Sequence, residues 1–401
     1  MTEFQAALAR LAGDGIRART AAGINGLTMQ LLEAGSATER RPLLLLLHGF
    51  PELAYSWRRV MPALAAAGYY VVAPDQRGYG GTSGWDPAYD GDLASFRMLN
   101  LVRDTLGLVD ALDYRQVAAV IGHDAGAGVA AWCSLIRPDL FRSVVLMSAP
   151  FAGPPPLRPA PQARPPMARF DEELATLEPP RKHYQWYYSS RAANADMLHC
   201  EQGLHAFLRA YYHYKSADWP CNRPYRLQGW SAAELARLPT YYVMHRGDTM
   251  AQAVAPYIPS PDAAAACRWL PDDELAVYRA AYAATGFQGG LQWYRCGTGG
   301  VGLAELQLFA GRTIDVPSCF IAGAHDWGVF QSPGTYERMQ EAVCTRMLGC
   351  HLVPGAGHWV QQEQPQQVTE LLLNFLHTTK TLVEQSPSPA FDPFALVHRR
   401  R

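Results

Sequence analysis

Paired cysteines are missing from this 401-residue chain: its eight, at positions 133, 200, 221, 267, 296, 319, 344 and 350, form no C-x-x-C pair. That excludes the thiolate spacing of a structural zinc site, and without a secretory leader the scattered thiols read as reduced. An excess of charge is missing too. Lys and Arg number 35 against 36 Asp and Glu, a net charge of −1, which leaves no electrostatic footprint for nucleic acid or an anionic membrane surface. No apolar run reaches the roughly 20 residues of a membrane span. Met1-Thr2-Glu3-Phe4-Gln5 lacks the basic-then-apolar order of a leader. The expectation is a soluble, cytoplasmic protein with neither a nucleic-acid nor a membrane partner, its oligomeric state open.

What is present is apolar. Hydrophobic residues make up 49% of the chain and charged ones only 18%, enough for a sizeable core and too little charge for disorder. The length exceeds one average domain, so a core domain with an insertion is the starting expectation. Pro42–Leu47 runs through leucines into His48-Gly49, and Tyr69–Ala73 ends at Pro74-Asp75. Val117–Ile121 ends at Gly122, and Val144–Met147 at Ser148-Ala149-Pro150. Short runs, apolar on both faces and closed by Gly or Pro, are the marks of buried parallel strands. Helix-compatible segments lie between them, at Tyr55–Ala67, Ser95–Leu112 and Ala125–Ile136. The alternation predicts a parallel sheet with helices on both faces.

The pattern breaks at Pro150. Prolines at 150, 154, 155, 156, 159, 161, 165 and 166 rule out strand and helix interiors and predict a linker. From about Arg181 to Leu308 the signals are helical, as in Ala195–Lys215, Ser231–Leu238 and Pro271–Ala284; Ser318–Ala322 and His351–Val353 then resume the strand pattern. One α/β domain split by an all-helical insertion is expected. Gln385–Arg401, with Ser-Pro repeats and three final arginines, reads as a solvated tail.

The informative segment is Gly122-His123-Asp124-Ala125-Gly126, set where a buried strand meets a helix. A sharp strand-to-helix turn leaves no room for large neighbours, so the flanking positions must be small while the middle side chain projects outward. The pattern is weak by itself, since an Asp in a tight turn can simply cap the next helix. Its partners weigh more. A carboxylate is already ionised at neutral pH and needs no base to attack a saturated carbon, but the resulting ester must be hydrolysed, and water does need a base. A pair downstream supplies it: His358 in Pro354-Gly355-Ala356-Gly357-His358-Trp359, and Asp326 in Ala322-Gly323-Ala324-His325-Asp326-Trp327. Asp326 would hold the imidazole in its working tautomer. His123 and His325 read as packing or hydrogen-bonding neighbours. After the leucine run, His48-Gly49-Phe50-Pro51 turns so that the Phe50 amide can point into the site. With the Ala125 amide it would make an oxyanion hole, a donor worth about 10²–10³ in rate.

These motifs resemble those of the soluble epoxide hydrolases. His48-Gly49-Phe50-Pro51-Glu52 with Tyr55-Ser56-Trp57-Arg58, then Asp75-Gln76-Arg77-Gly78-Tyr79-Gly80, then Gly122–Gly126 stand in the family's order. The resemblance implies an α/β-hydrolase fold: a mostly parallel eight-stranded sheet with helices on both faces, from residues 1–150 and 313–401. It implies a helical cap inserted at 151–312, with the proline-rich linker at 150–166. It also implies two cap tyrosines that hydrogen-bond the epoxide oxygen. His183-Tyr184-Gln185-Trp186-Tyr187-Tyr188 is similar to the segment carrying the first and points to Tyr184, with Tyr187 as its rival. Thr285–Arg295 is similar to the segment carrying the second and points to Tyr294. One departure stands out: many members carry Trp directly after the nucleophile, where this chain has Ala125. The amide is unchanged, but loss of the indole should enlarge or reshape the pocket floor.

The expected reaction is opening of an epoxide to a vicinal diol. Asp124 attacks a ring carbon while Tyr184 and Tyr294 protonate the oxygen, and His358, oriented by Asp326, then sends water against the ester. A tyrosine with its ordinary pKa near ~10 is a workable acid for a developing alkoxide. No metal or organic cofactor is required. Aromatic residues of the insert, Trp186, Tyr187 and Trp293 among them, make an apolar epoxide the expected substrate, with water as the second reactant. A hydrolytic dehalogenase would share the Asp and the His–Asp pair. It needs N–H donors for the halide, however, and Ala125 offers none from its side chain. A catalytically silent binding protein on the same fold need not keep nucleophile, base, acid and both tyrosines together.

Overall fold

The computed structural model describes residues 2–37, 39–157 and 166–385. Among them ten strands run along the chain: β1 Ile16–Ile24, β2 Leu27–Ala34, β3 Leu43–Leu47, β4 Tyr70–Pro74, β5 Val117–His123, β6 Val144–Met147, β7 Arg181–His183, β8 Val243–His245, β9 Ser318–Gly323 and β10 Met347–Val353. Eight form one sheet in the order β1-β2-β4-β3-β5-β6-β9-β10. The β1–β2 and β2–β4 pairs are antiparallel and the remaining neighbours parallel. The leucine strand shows why this sheet is covered on both faces. Leu44 and Leu46 enter one core, and Leu43, Leu45 and Leu47 enter the other, as the two-residue period of a strand requires. Each buried leucine contributes about 1.5–3 kcal/mol.

The central strands and the helix Ala125–Ile136 lie where the sequence puts them. The β1–β2 hairpin does not announce itself as an apolar run, because β1 is an edge strand with mostly exposed side chains. Its signal is the turn Asn25-Gly26, with φ of 49° and 82°, the left-handed pair that a two-residue hairpin loop prefers.

Between β6 and β9 the chain leaves the sheet for an insert built mainly of helices, among them Tyr184–Tyr188, Leu204–Lys215, Asp272–Thr285 and Gln288–Gly299. It is not all helix. β7 and β8 pair antiparallel with His183 opposite Val243, and strands this short are invisible to periodicity. The single helix expected over Ala195–Lys215 is two, Ala193–Leu198 and Leu204–Lys215, parted at Gly203, whose φ of 77° leaves the helical region. Tyr55–Ala67 likewise divides into a 3₁₀ turn, Ala54–Trp57, and a helix, Met61–Ala66. Of the expected linker, 158–165 lies outside the described residues, Phe151–Leu157 has no helix or strand, and Pro166 opens the helix Pro166–Ala175. A first helical turn tolerates the missing N–H. The expected tail falls outside the described residues except for Gln385, which ends the helix Pro365–Gln385. Among the described residues no helix is long and apolar enough to cross a membrane.

An ion pair joins sheet and insert. Buried Arg58 meets Glu274, which Arg59 Nη2 also contacts at 3.0 Å. Arg58 donates further to Gln362 Oε1 at 2.8 Å and to the Trp269 carbonyl at 3.2 Å.

Candidate active site

Asp124 stands at the apex between β5 and the helix Ala125–Ile136, with φ 52° and ψ −119°. A non-glycine residue held there stores about 1–3 kcal/mol of strain, a pattern concentrated at functional sites. The small neighbours are required by contact. A Cβ on Gly122 would lie 2.2 Å from the Gly126 carbonyl oxygen, one on Gly126 2.4 Å from the Leu47 carbonyl oxygen, and one on Gly49 2.4 Å from Asp124 Cβ. The loop after β3 is thereby pressed against the apex, and the Phe50 amide donates to Asp124 Oδ1 at 3.0 Å. Ala125 opens the helix, where an amide has no carbonyl four residues back to bond.

His358 comes from the loop after β10, and Asp326 from the loop after β9. His358 Nδ1 lies 3.1 and 3.2 Å from the two Asp326 oxygens, and Nε2 lies 3.4 Å from Asp124 Oδ2. Asp326 Oδ1 also accepts the Gly328 amide at 2.7 Å. Burial by itself would raise both carboxyl pKa values. The adjacent His358 overcomes it at each, holding Asp326 below, and Asp124 well below, the usual carboxylate range. Asp124 is therefore poised as an anion. His325 is a hydrogen-bonding neighbour, its Nδ1 2.7 Å from the Asn222 carbonyl.

A second buried pair sits behind His358. His123 Nδ1 meets Glu52 Oε2 at 2.5 Å, and its Nε2 lies 2.7 Å from the His358 carbonyl and 3.1 Å from Ser148 Oγ. Glu52 Oε1 accepts from the side-chain amides of Gln361 and Gln362. Burial favours a neutral imidazole, but the Glu52 carboxylate prevails and raises His123 to about 9. No spacing rule assigns Glu52 this role, because its partners lie far along the chain.

Over the apex lies an aromatic roof from the insert. Tyr184 and Tyr294 meet edge to face at 5.8 Å between centroids, Tyr188 lies 5.0 Å from Tyr294, and Phe50 lies 5.5 Å from Tyr294. Burial, reinforced by the Asp124 charge, pushes the Tyr184 and Tyr294 hydroxyls well above the ordinary tyrosine range, so both stay protonated donors. Tyr187 has other partners: its hydroxyl donates to Asp196 Oδ2 at 3.2 Å and its ring lies under the Lys182 ammonium. Trp293, expected in the pocket wall, contacts the loop after β4. Its indole N–H donates to the Arg77 carbonyl at 3.0 Å and its ring packs on Tyr79. One residue from Tyr294 is about 100° around the helix, so the two side chains leave it in different directions. Trp186 is half-buried on the short helix that carries Tyr184.

Lys215 is a further feature the sequence did not single out. Its buried ammonium is caged by Tyr211, Tyr241, Tyr242 and Trp359, 5.0–5.6 Å from their ring centroids. Its charge lowers the pKa values of both Asp124 and Asp326.

Residues 42–365 match the model of the α/β-hydrolase fold family. Epoxide hydrolase A of Mycobacterium tuberculosis is 33% identical over 360 residues, which cover 88% of this chain and 95% of that protein. A solved epoxide hydrolase from an endophytic Streptomyces superposes with a TM-score of 0.73 at 30% identity, covering 92% of this chain and 97% of the other. Epoxide hydrolase A from Mycobacterium thermoresistibile gives 0.69 at 32% identity, with 90% and 98% covered.

Proposed function

The chain belongs to the epoxide hydrolases of the α/β-hydrolase fold family, and from that premise we propose that it converts an apolar epoxide to a vicinal diol through an ester on Asp124. The observation that carries the proposal is the division of labour around one carboxylate. Oδ1 is tied to the Phe50 amide, Oδ2 faces His358 Nε2, and two protonated tyrosines stand in the roof. In the first step an Asp124 oxygen bonds to a ring carbon, the carbon–oxygen bond of the epoxide breaks, and Tyr184 or Tyr294 gives its proton to the leaving oxygen. In the second, His358 takes a proton from water as the water oxygen bonds to the Asp124 carboxyl carbon. The Phe50 and Ala125 amides stabilise the oxyanion. Collapse breaks the ester bond, His358 returns its proton to the departing diol oxygen, and the carboxyl proton restores the tyrosine. Water and epoxide are consumed, one diol leaves, and every group ends as it began. In this reading residues 151–312 are the cap, with 1–150 and 313–401 as the core.

Single turnover of a styrene-type epoxide in ¹⁸O-water tests it. The first diol should carry unlabelled oxygen from Asp124, and solvent label should enter the peptide containing Asp124. Labelled diol with an unlabelled peptide means direct attack by water and removes Asp124 from the role of nucleophile. Halide release from haloalkanes, with no diol from any epoxide of a panel, moves the chain to dehalogenase chemistry.

A further inference from the structure

The loop that carries His358 is held from both sides by one carboxylate. Glu363 Oε2 accepts the Gly357 amide at 2.8 Å, and its Oε1 accepts the Trp359 amide at 3.0 Å, so the residues before and after the base are clamped by the same group. Oε2 also accepts the Ala217 amide at 2.8 Å, and Ala217 belongs to the insert. The His358 amide itself donates to the Lys215 carbonyl at 2.9 Å. Gly357 permits this approach, since a Cβ there would fall 2.5 Å from the Lys215 carbonyl oxygen. The end of the helix Leu204–Lys215, Glu363 and the base loop thus form one hydrogen-bonded junction between insert and sheet.

We propose that Glu363 is a positioning residue for His358 that serves the second chemical step, by fixing the imidazole at the distance from Asp124 from which it can direct water. The proposal rests on the covalent-ester reading above. His358 transfers no proton in forming the ester, and the Lys215 and His123 charges also hold Asp124 down, so a loosened loop slows the second step far more than the first. Displacement of a reacting group by an ångström costs about 10²-fold. Burial opposes ionisation of Glu363 and pushes it up to about 8 against the pull of its three amides. Three converging N–H donors need two acceptor oxygens, because a side-chain amide would turn its own N–H₂ toward at least one of them.

The test is Glu363→Gln in the full chain, beside the wild type, with a slowly hydrolysed aryl epoxide. Rapid quenching and intact-mass analysis follow the adduct on the protein. The expected result is adduct formation within about threefold of wild type and adduct decay slowed about tenfold to a hundredfold. At steady state kcat should then fall while kcat/KM, which reports steps up to the ester, stays nearly level. A thermal melt of both proteins excludes simple unfolding. Equal slowing of both steps, or unchanged decay, overturns the role of Glu363 while leaving the ester intact. A wild type that turns over epoxide with no adduct in any quench removes the step Glu363 is said to serve, and the proposal falls with the mechanism.

Discussion

The floor and the roof of the site are built on opposite principles. The floor consists of loops at the ends of parallel strands, and its working groups are charged or dipolar: Asp124, Asp326, the Phe50 amide and the Glu52–His123 pair. Each is tied by hydrogen bonds to backbone or to another floor group. The roof consists of helices, and its working groups are neutral phenols held by ring packing, Tyr184 and Tyr294 against Tyr188 and Phe50. Burial acts on carboxylate and phenol alike by favouring the neutral form, yet only the Asp124 carboxylate has cations that reverse the effect, His358 of the floor first and Lys215 of the insert after it. Asp124 is kept ionised and the two phenols protonated because they differ in their charged partners, not in their depth.

The contrast can be broken first at its most charged point. Asp124→Asn keeps an oxygen for the Phe50 amide but loses the anion, and diol formation should vanish, a loss of more than about 10⁴-fold. Appreciable residual turnover would mean that the floor does not supply the nucleophile. On the roof, Tyr294→Phe and Tyr184→Phe should each cost about 10²–10⁴, all of it in ester formation. Adduct decay followed by mass should stay near wild type, and a slowed decay would erase the distinction between the surfaces. Between them, Arg58→Gln cuts the seam. It leaves Glu274 with Arg59 alone and should cost about 2–4 kcal/mol in a denaturant titration. A smaller loss than that of an exposed ion pair would show that roof and floor associate without it.

The gentlest probe is pH. Glu52 raises His123 to about 9, above its ordinary 6.5, so the stability this pair contributes is complete below pH 6.5 and is lost as pH climbs through about 9. Glu52 itself is lowered, because the His123 charge outweighs burial; its share is present above pH 4.5 and is lost only on acidification through its lower folded value. The roof tyrosines, raised from 10, begin to cost stability only above pH 10. The melting temperature should therefore fall between pH 6.5 and 9.5 in the wild type and fall less in Glu52→Gln. Parallel curves for the two proteins would show that the floor pair is not charged.

Much of the floor is legible in the sequence for a steric reason. Asp124, Asp326 and His358 each follow a short apolar run, and glycine is required where Gly122 and Gly126 meet backbone and Gly49 meets the Asp124 side chain. The roof is less legible. Tyrosines are abundant in the insert, and whether Tyr184 or Tyr187 faces Asp124 depends on how a five-residue helix is turned against its neighbours. Trp293 and Tyr294 are adjacent, yet one anchors the insert on Arg77 and the other faces the apex. The β7–β8 pair and the break at Gly203 escape for a related reason, since three-residue strands carry no period and one glycine does not by itself interrupt a helical pattern.

By itself the sequence determined the order of buried strands, the sharp strand-to-helix turn carrying Asp124, and the placing of Asp326 and His358 after later strands, because these depend on contacts local to strand, turn and glycine. Only the tertiary structure decided that Tyr184 and Tyr294 meet in the roof, that Glu52 charges His123 behind His358, and that Glu363 and the Lys215 carbonyl hold the His358 loop. Apart from the Glu363 contacts to Gly357 and Trp359, these join residues tens to hundreds of positions apart. They depend on how the strands are ordered in the sheet and how the insert is seated over it, and no local pattern in the chain records that.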